Sequence, residues 1–391
     1  MSSILDALLD PIGRTVFMAE HFGREPLHIE GTPDRVAGIM GWDQLSGLLS
    51  MSAVWTPTSI QIVLDGNPVA TEEYCQPALS QTRVSGMRPH PDKVQEWIRR
   101  GASVILNDME TLSPGTRELA SELRKMIGGA VQGNLYFSMR QRQAFGPHFD
   151  THEVFAVHCA GEKVWQIYEG QAEAPITHPL FSRSNEDYAR EAGRVVREVV
   201  MKPGDVLYIP RGRYHDALAS SNGAIHISFG ITPPKMLDLL PVVWEAAIAS
   251  PSMRAYLPVR EGGAALARAL EDMGAELTGL LSTPEMQDAA TRVLGLADHP
   301  AVETYNVGEM VSAGPVYRVA TGLSVVQQAG RELLSNGRDA VEIPAGLNEP
   351  VRWVVKRLEI TEASLATAFP GLDQSSIEDL VGKLRAMSVL V

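Results

Sequence analysis

The chain has 391 residues, 45% of them hydrophobic, which is enough for two or three domains and a sizeable core. Its formal net charge of −13 argues against wrapping of nucleic acid by bulk electrostatics, so we do not expect direct nucleic-acid binding. Two cysteines, no apolar run long enough to span a bilayer and no signal-peptide pattern predict a cytoplasmic protein without a membrane segment.

The first part of the chain is predicted to combine helices with two strands. Residues 1–50 have a helical pattern with turns, whereas residues 53–64 and 101–107 have the composition of strands. The whole stretch between those strands is predicted to be a polar loop, which holds Pro89, His90 and Pro91. Residues 114–127 show helical spacing of their apolar side chains.

The period of the hydrophobic pattern then changes twice. From 134 to 231 it is two, with Gly/Pro turns between short runs, which predicts a barrel or sandwich. The charged segment 171–197 interrupts this pattern and is either a lid or an insertion. Residues 236–297 are predicted to be helical, and 349–391 fit the helix, short helix, helix order of a winged-helix module.

Triplets of the form His-x-acid are candidate metal-ligand pairs, but chance limits their value. Ten histidines and 47 acidic residues in 391 positions give roughly one such triplet by chance. Three occur, at 28–30, 90–92 and 148–150. The pattern therefore decides nothing without its context.

The third triplet has the strongest context. His148 and Asp150 stand at the start of an alternating segment, and residues i and i+2 of a strand share one face. The later run Lys202–Ala217 contains two turns, a strand and His215. Two histidines and one carboxylate form the facial triad of non-haem Fe(II) oxygenases, whereas a closed zinc site would need a fourth ligand. The alternative is that His215 is a surface turn residue.

Lys163 adds a second candidate feature. It follows the predicted turn at Ala160-Gly161, on a strand that returns from the His148 segment, so it can point into the barrel. A lysine buried there requires an anionic partner, and the distal carboxylate of 2-oxoglutarate would supply one. The alternative is an exposed lysine at a hairpin turn.

Several motifs carry a resemblance to a known family. They are Asn134-Leu-Tyr-Phe-Ser138, Gly146-Pro-His-Phe-Asp150, Gly161-Glu-Lys163 with Trp165, and Pro203-Gly-Asp-Val-Leu-Tyr-Ile-Pro210 followed by His215. Together they resemble the JmjC-domain ribosomal oxygenases of the cupin superfamily. The similarity is strong over 130–232, extends upstream to 17–30 and is loose after 236. Ser138-Met139 departs from the Thr-Pro common in that family, and 171–197 has no counterpart.

The resemblance implies an α+β fold and a domain order. The core would be a double-stranded β-helix, the jelly-roll or cupin JmjC fold, within a catalytic domain at 1–235. A helical dimerisation domain would follow at 236–305, and a winged-helix-like domain at 306–391. The resemblance also implies a homodimer.

The resemblance further implies a 2-oxoglutarate-dependent dioxygenase that uses Fe(II) and 2-oxoglutarate to hydroxylate a protein side chain. The residues that match its iron ligands and catalytic centre are His148, Asp150 and His215. Lys163 matches the cation that pairs with the C5 carboxylate of 2-oxoglutarate, and Asn134 matches a polar residue of the cosubstrate pocket. His226 would also line the site, unless it is a satisfied core histidine.

The substrate stays open at this level. A basic ribosomal protein would suit the negative charge of the chain. The alternatives are the same chemistry on a natural-product peptide or small molecule, lysine demethylation, and a non-catalytic cupin that only binds. The C-terminal segment 349–391 has five basic against six acidic residues and therefore no basic face for DNA.

Overall fold

The computed structural model describes residues 3–79, 85–139, 146–221, 223–297, 315–328 and 330–390. The chain divides into two compact units, Met1–Val302 and Glu303–Val391.

The first unit combines antiparallel strands with flanking helices. Its strands are β1 Leu27–Ile29, β2 Ile60–Leu64, β3 Asn67–Pro68, β4 Cys75–Leu79, β5 Ser85–Pro89, β6 Ser103–Leu106, β7 Ala130–Ser138, β8 Glu153–Ala160, β9 Lys163–Gln171, β10 Val195–Met201, β11 Val206–Ile209, β12 Arg213–Ala219 and β13 Ala224–Thr232. Its helices are α1 Ile4–Leu9, α2 Gly13–Val16, α3 Trp42–Ser50, α4 Thr71–Tyr74, α5 Pro91–Arg99, α6 Met109–Leu112, α7 Pro114–Ile127, α8 Asn185–Ala192, α9 Leu240–Ala249, α10 Gly263–Leu281 and α11 Pro284–Ala297. Short helical turns occupy Phe17–His21, Pro33–Val36, Pro179–Phe181, Met236–Leu239 and Ser252–Arg254.

Two antiparallel sheets form the barrel. The larger has the order β1-β11-β8-β13-β7-β6-β2-β3, and the smaller has the order β10-β9-β12. Side chains of both sheets share one apolar cluster, in which Ala156 and Leu207 of the larger sheet join Ile167 and Val199 of the smaller. This packing of two antiparallel sheets, with helices outside, confirms the predicted α+β class.

Strand β8 is buried along its whole length. Its side chains alternate between two cores. Phe155 and Val157 pack with the N-terminal helices, whereas Val154 and Ala156 face the smaller sheet. The alternation along this strand therefore separates two apolar environments instead of core from solvent.

The turn before Lys163 is a corner between the sheets and not a hairpin. β8 pairs with β11 and β13, whereas β9 pairs with β10 and β12. Gly161 makes the corner with a φ of +70°, and a Cβ atom there would lie 1.9 Å from the carbonyl oxygen of Gly223. Only glycine fits this close approach at a positive φ.

The region before the barrel is more ordered than predicted. Residues 1–50 contain β1 besides their helices, and the strand predicted at 53–64 begins only at Ile60. The predicted polar loop holds β4, β5 and the start of α5. The helix predicted at 114–127 is confirmed at both ends.

The charged segment 171–197 contains α8 and runs into β10. Tyr188 of α8 packs edge-on against Phe149 and Tyr214, with ring centroids 5.4 and 6.1 Å away. The segment is thus packed on the barrel close to the predicted metal ligands.

The helical prediction for 236–297 is confirmed by α9, α10 and α11. No helix in the described ranges is long and apolar enough to cross a membrane.

The second unit has its own apolar core, which includes Val351, Leu365 and Leu384. Its elements are β14 Val316–Arg318, β15 Ser324–Gln328, β16 Arg331–Ser335, β17 Ala340–Glu342, α12 Asn348–Val354, β18 Glu359–Thr361, α13 Glu362–Ala368 and α14 Gln374–Ala386. The three helices match the predicted order. The assignment to a winged-helix-like domain stays a prediction.

Candidate active site

The residues of the third triplet meet His215 as predicted. One ligand atom from each of His148, Asp150 and His215 lies within 4.8 Å of the other two. Among the described residues, this is the cluster of three potential metal ligands that the structure brings together. The Nε2 atom of His215 lies 3.4 Å from a carboxylate oxygen of Asp150, and the two imidazole centroids are 4.6 Å apart. Such a set suits one divalent cation.

Backbone hydrogen bonds fix the two histidines. The His148 amide donates to the His215 carbonyl at 3.0 Å, and the His215 amide donates back at 2.8 Å. The Nδ1 atom of His148 lies 2.8 Å from the Gly146 carbonyl, and that of His215 lies 3.0 Å from the Arg213 carbonyl. When each Nδ1–H donates a hydrogen bond to these carbonyls, Nε2 is the unprotonated nitrogen, as a metal ligand requires.

The electrostatics of the triad favour a charged aspartate. Burial alone would raise the pKa of Asp150, but the hydrogen bond with His215 and the nearby histidines lower it overall. Burial and the neighbouring His215 lower the pKa of His148. Burial also opposes the charged form of His215, but the contact with Asp150 raises its pKa overall. Asp150 therefore holds the negative charge that would compensate a bound cation.

Lys163 lies at the first position of β9 and is 2% exposed. Its Nζ atom is 3.4 Å from the Ser138 hydroxyl and about 6 Å from the ring centroids of Tyr136 and Trp165. No carboxylate pairs with it among the described residues. Burial lowers its pKa to about 7. This excludes the alternative of an exposed turn lysine and leaves a buried cation without an anion.

The remaining candidates lie side by side on the inner face of the larger sheet. In the pairing of β13 with β7, His226 is opposite Tyr136 and Ser228 is opposite Asn134. The His226 imidazole stacks on the Tyr136 ring with 4.8 Å between centroids. Burial lowers the pKa of His226 well below its usual value, so this imidazole is neutral.

All six predicted residues line one cavity of about 270 Å³. The other residues that line it are Tyr136, His152, Val154, Trp165, Ala217, Ser228 and Gly230. The sequence pattern assigned no role to these residues, although the two-residue period of a strand could have identified some of them. Trp165 is two positions after Lys163 and Ser228 is two after His226, so each shares a face with a predicted residue.

Several buried polar atoms of the cavity lack partners. Among the described residues, Asn134 Oδ1, Trp165 Nε1 and His226 Nδ1 are inaccessible to solvent and make no hydrogen bond. Buried polar atoms without partners are rare in proteins because they lose hydration without compensation. Together with the unpaired Lys163, they fit a cavity that is completed by a polar anionic ligand.

The other two triplets have structural surroundings. His28 Nε2 lies 3.2 Å from Asp205, whose other oxygen accepts the amide of Gly31. His90 precedes α5 and its backbone amide donates to the Tyr74 carbonyl. His158 is fully buried at the sheet corner, 3.0 Å from the Gly161 carbonyl, and it is not among the cavity residues.

Comparison with known proteins identifies the class of domain. Residues 113–239 match the family model of the JmjC domain. The chain thus contains a JmjC domain, and the matched range includes β7 to β13 with all six predicted site residues.

The relatives agree with the predicted family. Ribosomal oxygenase 1 of Gallus gallus is 28% identical over 211 residues, 54% of this chain and 33% of that protein. The bifunctional lysine-specific demethylase and histidyl-hydroxylase NO66 of Drosophila willistoni is 30% identical over 180 residues, 44% of this chain and 23% of that protein. The matches thus span about a third or less of these relatives' own length.

Similar solved structures include the Escherichia coli ribosomal oxygenase YcfD in complex with cobalt and 2-oxoglutarate. It is 17% identical, with 96% of this chain and 97% of that chain covered and a TM-score of 0.47.

Proposed function

We propose that this protein is an Fe(II)- and 2-oxoglutarate-dependent oxygenase that hydroxylates a protein side chain. The observation that carries the proposal is one cavity of a JmjC domain with a metal triad at one end and the buried, unpaired Lys163 at the other. A cupin that only binds a ligand needs no metal triad together with a buried lysine. The names of the relatives, ribosomal oxygenase and histidyl-hydroxylase, point to the same chemistry.

The residues of the cavity would have separate roles in binding the metal and the oxo acid. His148, Asp150 and His215 would hold Fe(II) by three ligands and leave the other positions open. Lys163 would pair with the distal carboxylate of 2-oxoglutarate, with Asn134 and His226 beside it. Bound iron would let O₂ act as the oxidant, with one oxygen atom going to the alcohol formed from a C–H bond and the other to succinate, as 2-oxoglutarate loses CO₂.

A second cavity supports a polypeptide as the substrate. It has a volume of about 710 Å³, includes His148 in its lining, and thereby adjoins the metal triad. The β2–β3 turn at Asp65–Asn67 lines it together with Asn185 and Tyr188 of the α8 segment. The lining residues include no lysine or arginine in the described part of the chain, so a neutral or cationic side chain fits better than an acidic one.

We assign the substrate to a ribosomal protein, because a relative is named ribosomal oxygenase and because ribosomal proteins are basic whereas this chain has a net charge of −13. Lysine demethylation is the second candidate, since the name of another relative includes it. The two differ in the mass of the product. A hydroxylated peptide gains one oxygen atom, whereas a demethylated one loses a CH₂ group.

We also propose a homodimer formed through the predicted dimerisation domain, 236–305. Large apolar side chains of α9 and α10 are exposed, and Trp244 is 66% exposed. With Leu240 and Ile248 it lines an apolar groove. Light scattering should give twice the chain mass of 42.5 kDa, and Trp244→Glu should give the monomer. A monomeric wild-type protein would contradict the dimer.

The assignment of 306–391 as a winged-helix-like domain completes the proposal. The order of α12, α13 and α14 in the second unit supports it. The cytoplasmic location stays a prediction, which the two unpaired, buried cysteines Cys75 and Cys159 support.

An anaerobic titration tests the function. Fe(II) is added to the protein, followed by 2-oxoglutarate, and the weak visible charge-transfer band is recorded. We expect the band in the wild type and its loss in His148→Ala. If iron is bound by the wild type but no band forms, the oxo acid does not chelate there and the proposed function is wrong.

A further inference from the structure

Trp165 occupies the middle of the cavity, between the two functional ends. Its indole is nearly parallel to the imidazole of His215, with centroids 5.9 Å apart and 25° between planes. It stands edge-on to His226 at 5.3 Å, and the Nζ atom of Lys163 is 6.0 Å from its ring centroid. A dicarboxylate that reaches from the metal triad to Lys163 must pass this ring.

The indole N–H of Trp165 has no acceptor among the described residues. The side chain is 4% exposed, and its Nε1 atom is inaccessible to solvent. Trp55 shows the usual arrangement in the same protein, because it is 1% exposed and donates to the Leu48 carbonyl at 2.8 Å. Trp165 is thus a buried donor without the hydrogen-bond acceptor that Trp55 has.

The chemistry of the missing partner follows from the indole. Asn134 Oδ1 and His226 Nδ1 also lack partners, but an amide can be flipped and an imidazole can change tautomer. An indole N–H can only donate. The group that would satisfy it is therefore an acceptor, such as a carboxylate or carbonyl oxygen of a ligand in the cavity that Trp165 lines.

We propose that Trp165 positions the oxo acid by donating a hydrogen bond from Nε1 to one of its oxygens. The inference rests on the proposed function, since it requires 2-oxoglutarate in this cavity. It adds a third anchor to the triad and Lys163. One strand, β9, then supplies two of the three anchors from neighbouring positions on one face.

The test compares Trp165→Phe, which keeps an aromatic ring but removes the donor, with Trp97→Phe. Trp97 lies on α5 under the guanidinium of Arg100 and is not a cavity residue. Dissociation constants for Fe(II) and for 2-oxoglutarate are measured under nitrogen. We expect Trp165→Phe to weaken 2-oxoglutarate binding about 10-fold, as for loss of a hydrogen bond to a charged group. Fe(II) binding should be unchanged, and Trp97→Phe should match the wild type.

A second measurement uses the wild type, in case the variant does not fold. The protein is labelled with ¹⁵N at the indoles of its six tryptophans and loaded with Zn(II) in place of Fe(II). Addition of 2-oxoglutarate should move one indole proton signal downfield, because a new hydrogen bond deshields it. That signal should be missing from Trp165→Phe.

The outcomes separate the two proposals. A wild type that binds no 2-oxoglutarate overturns both. A wild type that binds it, with Trp165→Phe binding equally well or with no indole signal moving downfield, overturns the role of Trp165 and leaves the oxygenase intact.

Discussion

The two ends of the cavity differ in how far their polar groups are satisfied. At the metal end, His148 and His215 contact backbone carbonyls through Nδ1, and His215 pairs with Asp150. At the other end Lys163 has no anion, and between the two ends Trp165 has no acceptor, among the described residues. One end is organised by the protein itself, whereas the other is organised only when a ligand supplies the missing charge.

This difference has an energetic meaning. A buried cation without a partner lowers stability, because the lost hydration is not compensated. The metal triad lowers the stability of the folded protein less, since its carboxylate and imidazoles compensate one another. We therefore expect substitutions at the two ends to affect binding in the same direction and stability in opposite directions.

The largest expected effect is at the metal end. Asp150→Ala removes the one charged ligand and should weaken Fe(II) binding by at least about 100-fold, since even the loss of a supporting contact can cost that much. The matched control is Asp92→Ala, in the His90 triplet outside the site. Anaerobic equilibrium dialysis measures both, and equal affinity of the two variants would show that the triad is not the iron site.

Lys163→Met tests the other end. It should weaken 2-oxoglutarate binding by about 10- to 100-fold through loss of a charged contact, with Fe(II) binding unchanged. The same variant should raise the melting temperature of the ligand-free protein, because a buried unpaired charge is removed. Calorimetry measures both quantities. A lowered melting temperature would mean that the ammonium group is stabilised in a way that the proposed site does not explain.

The corner that carries Lys163 should be sensitive to a single methyl group. Gly161→Ala combines a φ of +70° with a contact at 1.9 Å, so the free energy of unfolding should fall by about 2 kcal/mol or more. Gly128→Ala is the control, since φ is +83° there but no atom lies within 4 Å. It should cost only about 1 kcal/mol. Denaturant unfolding compares the two variants. Equal losses in the free energy of unfolding would show that neighbouring atoms move away from the new methyl group at Gly161.

The smallest expected effect is the uptake of a proton when 2-oxoglutarate binds. Burial lowers the pKa of ligand-free Lys163 from 10.5 to about 7, so at pH 8 most of this amine is neutral. A bound carboxylate favours its charged form, so binding of 2-oxoglutarate at pH 8 should take up close to one proton. Affinity should fall as the pH rises above 7. Calorimetry in two buffers of different ionisation enthalpy measures the uptake, which should vanish in Lys163→Met.

The same linkage applies to folding of the ligand-free protein. Between pH 7 and 10.5 the unfolded chain binds more protons at Lys163 than the folded one. Stability should therefore rise with pH in this window relative to Lys163→Met. A parallel pH dependence of the two proteins would contradict the lowered pKa.

The metal end was easier to predict from the sequence than the other end. His148 and Asp150 are only two positions apart in the chain, and the motif that contains His215 carries its own turns, so local pattern and family resemblance pointed to the same three residues. Lys163 lines the cavity, but the turn before it is a corner between sheets and not the hairpin considered from the sequence. Trp165 was missed as a cavity residue because an apolar side chain in a strand is ordinarily core.

The errors outside the site have a common physical cause. The alternation in β8 reflects two different cores and not a solvent face, and sequence period alone does not distinguish these cases. The short elements β4 and β5 lie in a stretch whose polar residues resemble a loop. Which strand pairs with which is decided by contacts distant in sequence, and local propensity does not report them.

The mutual backbone hydrogen bonds of His148 and His215 have a consequence for how such an enzyme changes over generations. They join the two histidines directly, so the α8 segment between them in sequence does not set their spacing. We therefore expect changes of sequence or length within 172–194 to leave His148 and His215 in register. If the proposed function holds, we expect substrate preference to change with this segment while the oxidation chemistry is kept.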